Sequence, residues 1–386
     1  MRMRDIRPKA TPGNRFCRKA LPKTRHRIHN LSFARRHFVS MTSEKLRVAA
    51  RTLYEEVAEF RFRYPLTVVA EAGPKDSLHY YMHKYRKQPP YRTMTHFDAN
   101  GIPRVWNRLT GVVYRPGYIA MYAIGNLSHY LRQNNPEFLD KFLKQIDWLE
   151  HHAVIRDDGA AVWPHNFNLR DGAVHHKAPW LSANVQGLII SALVRGWRVT
   201  RRPELLELLR RTSKVFELDE REGGVRACGE GHVVYTEAPG LPTPGIMDGF
   251  MRSLVGLYDL YVETEDPRVH QLFLEGVAGL QHFLPTWDYR GKWSWYSNRE
   301  YLCPPSYHWL NFLLLDILGR LTGIARFSEV AASWNPARLS LADRLEIYSK
   351  FLLTKNASRW RYRTWRNEEE SATSVSLVPV TTEEQA

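Results

Sequence analysis

Apolar residues recur three or four positions apart over long stretches of this chain, the spacing that places them on one face of an α-helix. Val185, Leu188, Ile189, Ala192, Leu193 and Trp197 form one such face, and Phe250, Leu254, Leu257, Tyr258 and Tyr261 form another. Leu139, Phe142, Leu143 and Ile146 mark a partner helix. Three short turns punctuate the pattern in one way: Asn135-Pro136-Glu137, Arg202-Pro203-Glu204 and Asp266-Pro267-Arg268. Proline at the first helical position loses nothing, because that amide has no partner inside the helix. A fourth turn near Gly323, followed by Phe327, keeps the rhythm without the proline. Helix starts at 136, 203, 267 and about 327 therefore describe a degenerate repeat of αα-hairpins.

One hairpin cannot bury both of its faces, so several must curve around one another. The predicted fold is mainly α, an incomplete (α/α) toroid of helical hairpins with short β-hairpins in its rim loops. Turns within a hairpin take four or five residues, whereas the connections at about 151–180, 217–246 and 284–304 take 20 to 30. Every hairpin returns the chain to the same end, which crowds the long loops onto one rim. Loops of that length are usually functional or disordered. These hold Trp163, His165, Glu237, Trp293, Trp295, Tyr296 and Arg299, a composition unlike a linker. Val225–Ala227 and Val233–Glu237, around Gly229-Glu230-Gly231, read as a β-hairpin on that rim.

The formal charge of +15 suggests a polyanion partner until it is divided along the chain. Residues 1–43 contribute +11 and the tail from Lys355 contributes nothing, which leaves +4 for the body. The expected organisation is a basic, disordered arm at 1–43, a toroid at 44–354, and a basic-aromatic strip with a disordered tail at 355–386. Arg359 to Arg366 alternates cationic and aromatic residues with period two, as in an edge strand or a contact of the tail. Met41 offers a second start. Nucleic acid is not expected as a partner, because the charge sits in the arm rather than the body. Cys17, Cys228 and Cys303 are far apart and give neither a disulfide framework nor a zinc site. The adjacent pairs His151-His152 and His175-His176 cannot both face one metal, and no nucleotide-binding motif is present, so neither metal nor cofactor is expected. Neither an export signal nor an apolar run of membrane-spanning length is visible, which makes a cytoplasmic location the expectation.

Several motifs then occur in one order. Phe97-Asp98-x-x-Gly101-Ile102-Pro103 is followed by Trp180-Leu181-Ser182-Ala183-x-x-Gln186-Gly187, by Glu237 ahead of GFM-x-SL-x-GLYDL, by Tyr296-x-x-Arg299, and by Tyr307-His308. This series resembles the C-terminal catalytic region of the D-glucuronyl C5-epimerases over roughly residues 95 to 335. The resemblance implies inversion at C5 of a uronic acid within an acidic polysaccharide of the heparan or heparosan kind, without a cofactor, and it allows a homodimer. Such a reaction removes a proton alpha to a carboxylate and returns one to the opposite face, so it needs a base, an acid and stabilisation of an enolate-like intermediate. By the resemblance, Tyr307 is one acid/base residue and Tyr296 a second or a positioning group. Glu237 tunes or aligns a tyrosine, and the forked donors of Arg299 clamp the substrate carboxylate. Trp163, His165, Trp295 and His308 are further substrate-binding candidates on the rim.

One position departs from the family pattern: the tyrosine that follows the loop glutamate is here Ala238. Alanine can neither donate nor accept a proton, and an unreplaced loss costs roughly 10²–10⁴-fold. Three outcomes stay open. Tyr235, His232 or His165 takes over the role, with Tyr235 preferred because it would share a face with Glu237 if residues 233–237 formed a strand. Alternatively, one-sided abstraction leads to β-elimination, which makes the protein a polysaccharide lyase. In the third outcome the chain binds a glycan without turnover. Residues 62–116 are the only part with the β character that larger family members carry before the helical region.

Overall fold

In a computed structural model the chain is described at Tyr54 and over residues 66–69, 83–85, 96–107, 111–171, 174–298 and 300–362. The basic arm and residues 363–386 lie outside these. The protein is mainly helical, with nine α-helices among the described residues. They are α1 (Pro116–Gln133), α2 (Pro136–His151), α3 (Ala183–Thr200), α4 (Pro203–Thr212), α5 (Met247–Thr264), α6 (Pro267–Trp287), α7 (Pro305–Thr322), α8 (Ala325–Ser333) and α9 (Leu341–Tyr362).

The first eight form four hairpins, and one local device makes every turn. The odd-numbered helix ends on a left-handed residue, Asn134, Arg201, Glu265 or Gly323, whose amide closes back on the carbonyl four residues earlier. An extended residue follows, and then Pro136, Pro203, Pro267 or Ala325 opens the partner helix. The fourth turn shows that the left-handed residue, rather than the proline, is the constant element. A left-handed cap is what terminates a helix while satisfying its last carbonyls.

α1, α3, α5 and α7 pack successively on one another, and each packs on its own hairpin partner, which is the less buried of the two; the four are called the inner helices. The inner helices are buried on nearly all faces, as a helix in the middle of a layer must be. The tightest approach lies between α3 and α5. A side-chain carbon at Gly187 would fall 2.6 Å from the Arg252 carbonyl, and one at Gly256 would fall 2.6 Å from the Gly187 Cα. Only glycine lets two backbones approach so closely. Nearby, Arg195 and Asp259 form a fully buried ion pair at 2.8 Å between the same two helices. Ile124, Leu188, Ser191, Arg195, Arg252, Val255 and Leu314, drawn from all four inner helices, line one small cavity of about 20 Å³.

Short antiparallel pairs decorate the connections. Arg226–Gly229 pairs with His232–Tyr235 across Glu230 and Gly231, both at positive φ, which is the two-residue hairpin expected there. A three-stranded sheet of Asp288–Tyr289, Trp293–Tyr296 and Tyr301–Leu302 covers a second apolar cluster with Leu339, Ile347 and Phe351. β-strands also occur at Leu66–Val69, His83–Tyr85, His96–Phe97, Pro103–Asn107 and Gly111–Tyr114, within the stretch expected to have β character. Two expectations are corrected. α6 runs through Pro285 to Trp287, so the last long loop begins after residue 287 and not at about 284. α9 runs to Tyr362, so the described part of the basic-aromatic strip is helical and the boundary expected at 354 falls inside a helix. Helical hydrogen bonding overrides the period-two alternation there.

Candidate active site

Because each long loop feeds an inner helix, the N-terminal turns of α1, α3, α5 and α7 all lie at the loop-bearing end. Polar residues occupy those turns: Tyr118 in α1, Asn184 in α3, Asp248 in α5 and Tyr307 in α7. This end of a helix carries the positive end of its dipole and its unpaired amides, so four such ends favour a negatively charged ligand.

Tyr307 is at the centre. Its side chain is 43% exposed, so the phenol is open to solvent at the start of α7. Its phenol is pushed well above the ordinary range by burial, then by Asp248, Tyr118 and Glu237, and only Arg252 opposes this. The hydroxyl is therefore protonated at neutral pH. Tyr296 meets it edge to face, with ring centroids 5.8 Å apart, and is itself stacked on Tyr301. Rings at that distance are in direct contact and leave no room for a pyranose between them. Tyr296 thus supports Tyr307 from one side rather than facing it across a sugar.

Glu237 reaches the site through a chain of backbone bonds. The Thr236 amide donates to the Val225 carbonyl and the Ala183 amide donates to the Thr236 carbonyl, which fastens the loop to the start of α3. The Asn184 amide group then donates to the Glu237 carboxylate at 3.0 Å, and Arg252 reaches Asn184 at 3.5 Å. The other face of Glu237 lies against Gly249 in the first turn of α5, where an added carbon would be 2.7 Å from both its Cβ and its Cδ. Beside it, Asp248 is buried; desolvation raises its carboxyl pKa, opposed by Arg252 and by backbone amides. Asn298 locks the loop that follows Glu237 to the strand bearing Tyr296, accepting from Gly245 and donating to the Pro242 carbonyl.

Across from these groups, Arg115 caps α1 and places its guanidinium 4.8 Å from the Phe167 ring and 5.9 Å from the Tyr118 ring. His165 lies 5.0 Å from the same Phe167 and 4.2 Å from Trp180. Burial first, then Arg115 and His176, hold its imidazole down to about 3, so it is neutral at physiological pH.

Several expected site residues face elsewhere. Tyr235 is buried between Phe216 and Phe250, and its hydroxyl donates to the Leu272 carbonyl at 2.8 Å. The strand ends at Tyr235, so the shared face with Glu237 does not form, and this tyrosine cannot replace the one missing at Ala238. Ala238 itself is only 5% exposed. His232 stacks on His282 of α6, in the outer row. Trp163 is buried and donates its indole N–H to the Leu149 carbonyl, which makes it a core residue and not a sugar platform. Trp295 packs edge-on against Tyr289 in the second cluster. His308 is fully buried beneath Trp293; its Nδ1 accepts from the Ser294 amide and its Nε2 donates to the Trp334 carbonyl. Both nitrogens are used, so His308 fixes the Tyr296 strand to α7 rather than touching a ligand. Arg299 lies outside the described residues. A groove of about 540 Å³ between α2 and α4 contains none of these groups.

The sequence reading missed Arg115, Tyr118, Asn184, Asp248 and Arg252. A signal was available: Arg115-Pro116-Gly117-Tyr118 occupies the same loop-to-inner-helix position as Tyr307.

Fold and site together define an αα-hairpin protein whose ionisable groups gather at the starts of its inner helices. Residues 156–336 match the family described as D-glucuronyl C5-epimerase C-terminus. It is 25% identical over 247 residues to a D-glucuronyl C5-epimerase of Caenorhabditis elegans, an alignment that takes in 58% of this chain and 40% of that protein. The chain thus spans well under half the length of that relative. An uncharacterized protein of Methanocaldococcus jannaschii is 21% identical over 224 residues, 53% of this chain and 70% of its own.

Proposed function

We propose that this protein is an isomerase that epimerises C5 of uronic acid units in an acidic polysaccharide, on an array of hairpins read as an incomplete (α/α) toroid. The observation that carries the reading is the placement of Tyr307. It is a protonated, solvent-open phenol in the first turn of α7, within electrostatic reach of Glu237, Asp248 and Arg252, in the family's own sequence context. Tyr307 supplies the proton that returns to C5. Tyr296 holds Tyr307 in place. Glu237, fixed by Asn184, aligns the hydroxyl network, and Arg299, the clamp in the family pattern, adds positive charge for the acidic polymer. The proton-transfer role that Ala238 cannot fill passes to Tyr118, a hydroxyl close enough to perturb Tyr307 without packing on its ring.

Tyr118, as a phenolate, takes the C5 proton and becomes a phenol, while the electron pair of the broken C–H bond moves onto the carboxylate oxygens to give an enediolate. The helix N-termini and nearby cations stabilise that oxygen-centred charge. Tyr307 then gives its hydroxyl proton to the opposite face of C5, inverting the centre and leaving Tyr307 as the phenolate.

Incubation with heparosan in deuterium oxide, read by NMR at C5 and by near-ultraviolet absorbance, tests the proposal. Deuterium at C5 with inverted configuration and an intact chain is the expected result. An unsaturated uronate would make the protein a β-eliminating lyase, and binding with no exchange would make it a glycan-binding protein.

A further inference from the structure

Arg115 is set unlike any other described arginine near the site. Its Nε and Nη2 atoms are buried and have no hydrogen-bond partner, and it pairs with no carboxylate among the described residues. Nε–H and the adjacent Nη2–H form one edge of the guanidinium, whose two parallel donors match the two oxygens of a carboxylate. His165, whose ring lies 5.0 Å from the same Phe167 ring, also has a buried, unpartnered Nδ1, in a side chain only 8% exposed. Buried polar groups are nearly always hydrogen-bonded, so two such groups beside one ring point to a ligand. Burial lowers the guanidinium's proton affinity, while Tyr118 and Tyr307 raise it.

We infer that Arg115 and His165 form a carboxylate subsite that receives the uronate whose C5 faces Tyr307. The inference rests on the uronate reading above and makes Arg115 the residue that selects a uronate over a neutral hexose. Arg115 donates two parallel hydrogen bonds to the carboxylate, and His165, neutral beside a cation, adds a third polar contact without competing for the anion's charge. The sequence supports the same placement, since Pro116 fixes the backbone directly after Arg115 at the start of α1. An unpaired buried cation destabilises the free protein, and a bound carboxylate removes that strain. The site is therefore poised to discriminate by charge.

The test is calorimetric titration of the full chain with a heparosan oligosaccharide and with the same oligosaccharide after reduction of its carboxylates to alcohols. Charge-assisted bonds of this kind correspond to about a 10- to 100-fold preference for the acidic ligand in the wild type. Arg115→Gln is expected to abolish that preference, Arg115→Lys to keep part of it, and His165→Gln to reduce it less than Arg115→Gln. Arg115→Gln should also melt at or above the wild-type temperature, because it removes an unpaired buried charge; a structural arginine would do the reverse. A wild type without preference, or an Arg115→Gln variant that keeps it, overturns the inference. Preference that depends on Arg115 without deuterium exchange at C5 would leave the subsite standing and remove the epimerase reading.

Discussion

Replacing Gly249 with alanine adds one carbon where Glu237 crosses the first turn of α5. That carbon would be 2.7 Å from the Cβ and the Cδ of Glu237, about 0.7 Å inside the 3.4 Å at which ordinary contact begins. Rotation of the side chain can move the carboxylate but not the Cβ, which is one bond from the backbone. The loop must therefore shift, taking Glu237 away from Asn184 and from the Tyr307 hydroxyl. A misplacement approaching 1 Å costs up to about 100-fold in rate. Alanine in a helix meanwhile gains about 1 kcal/mol over glycine, which offsets the crowding. Gly249→Ala is expected to slow deuterium uptake at C5 by about 10- to 100-fold while its melting temperature stays within a few degrees of wild type. Because the damage acts through Glu237, Gly249→Ala placed on a Glu237→Gln background should cost little further rate. A wild-type rate for Gly249→Ala, or an equal loss on both backgrounds, refutes the reasoning.

Asp259→Ala should lower the free energy of unfolding in urea by about 3–5 kcal/mol, because it strands the buried Arg195 cation between α3 and α5; a loss below about 1 kcal/mol contradicts this. Tyr235→Phe should cost about 0.5–1.5 kcal/mol of stability through its lost bond to the Leu272 carbonyl and leave deuterium uptake unchanged. Slowed uptake would return Tyr235 to the site. His308 is held neutral down to about 3 in the fold, whereas an unfolded histidine takes up a proton near 6.5. Its contribution is thus intact above about 6.5 and drains by up to about 1.4 kcal/mol per pH unit as the pH falls toward 3. Urea unfolding at pH 7 and pH 5 should show wild type losing about 2 kcal/mol more than His308→Gln, and equal losses would remove this linkage.

The hairpin rhythm was legible because its punctuation is local: Asn134, Arg201, Glu265 and Gly323 each stop a helix, and Pro136, Pro203 and Pro267 each start one. Glu237 and Tyr307 were picked out by the resemblance, which matched them within a long loop and in the first turn of a helix. Side-chain direction did not follow. Tyr235, Trp163 and His308 lie at the loop-bearing end as expected, yet each turns its polar atom to a backbone carbonyl in the interior. A rim location constrains the Cα and leaves the rotamer to packing. Arg115 was overlooked for the opposite reason. Arg115-Pro116-Gly117-Tyr118 marks a loop-to-helix position, but the burial without a hydrogen-bond partner that sets Arg115 apart is visible only in the structure. The last long loop, expected from about 284, begins after Trp287, because α6 continues through Pro285.

The central claim is that Tyr307 moves the proton at C5. Its most direct test is the initial rate of deuterium incorporation at C5 of heparosan, measured side by side for wild type and Tyr307→Phe at equal fold stability. The account predicts uptake by the wild type and a loss of about 10²- to 10⁴-fold in Tyr307→Phe. Uptake by the phenylalanine variant at the wild-type rate would contradict it and move the proton transfer to another residue.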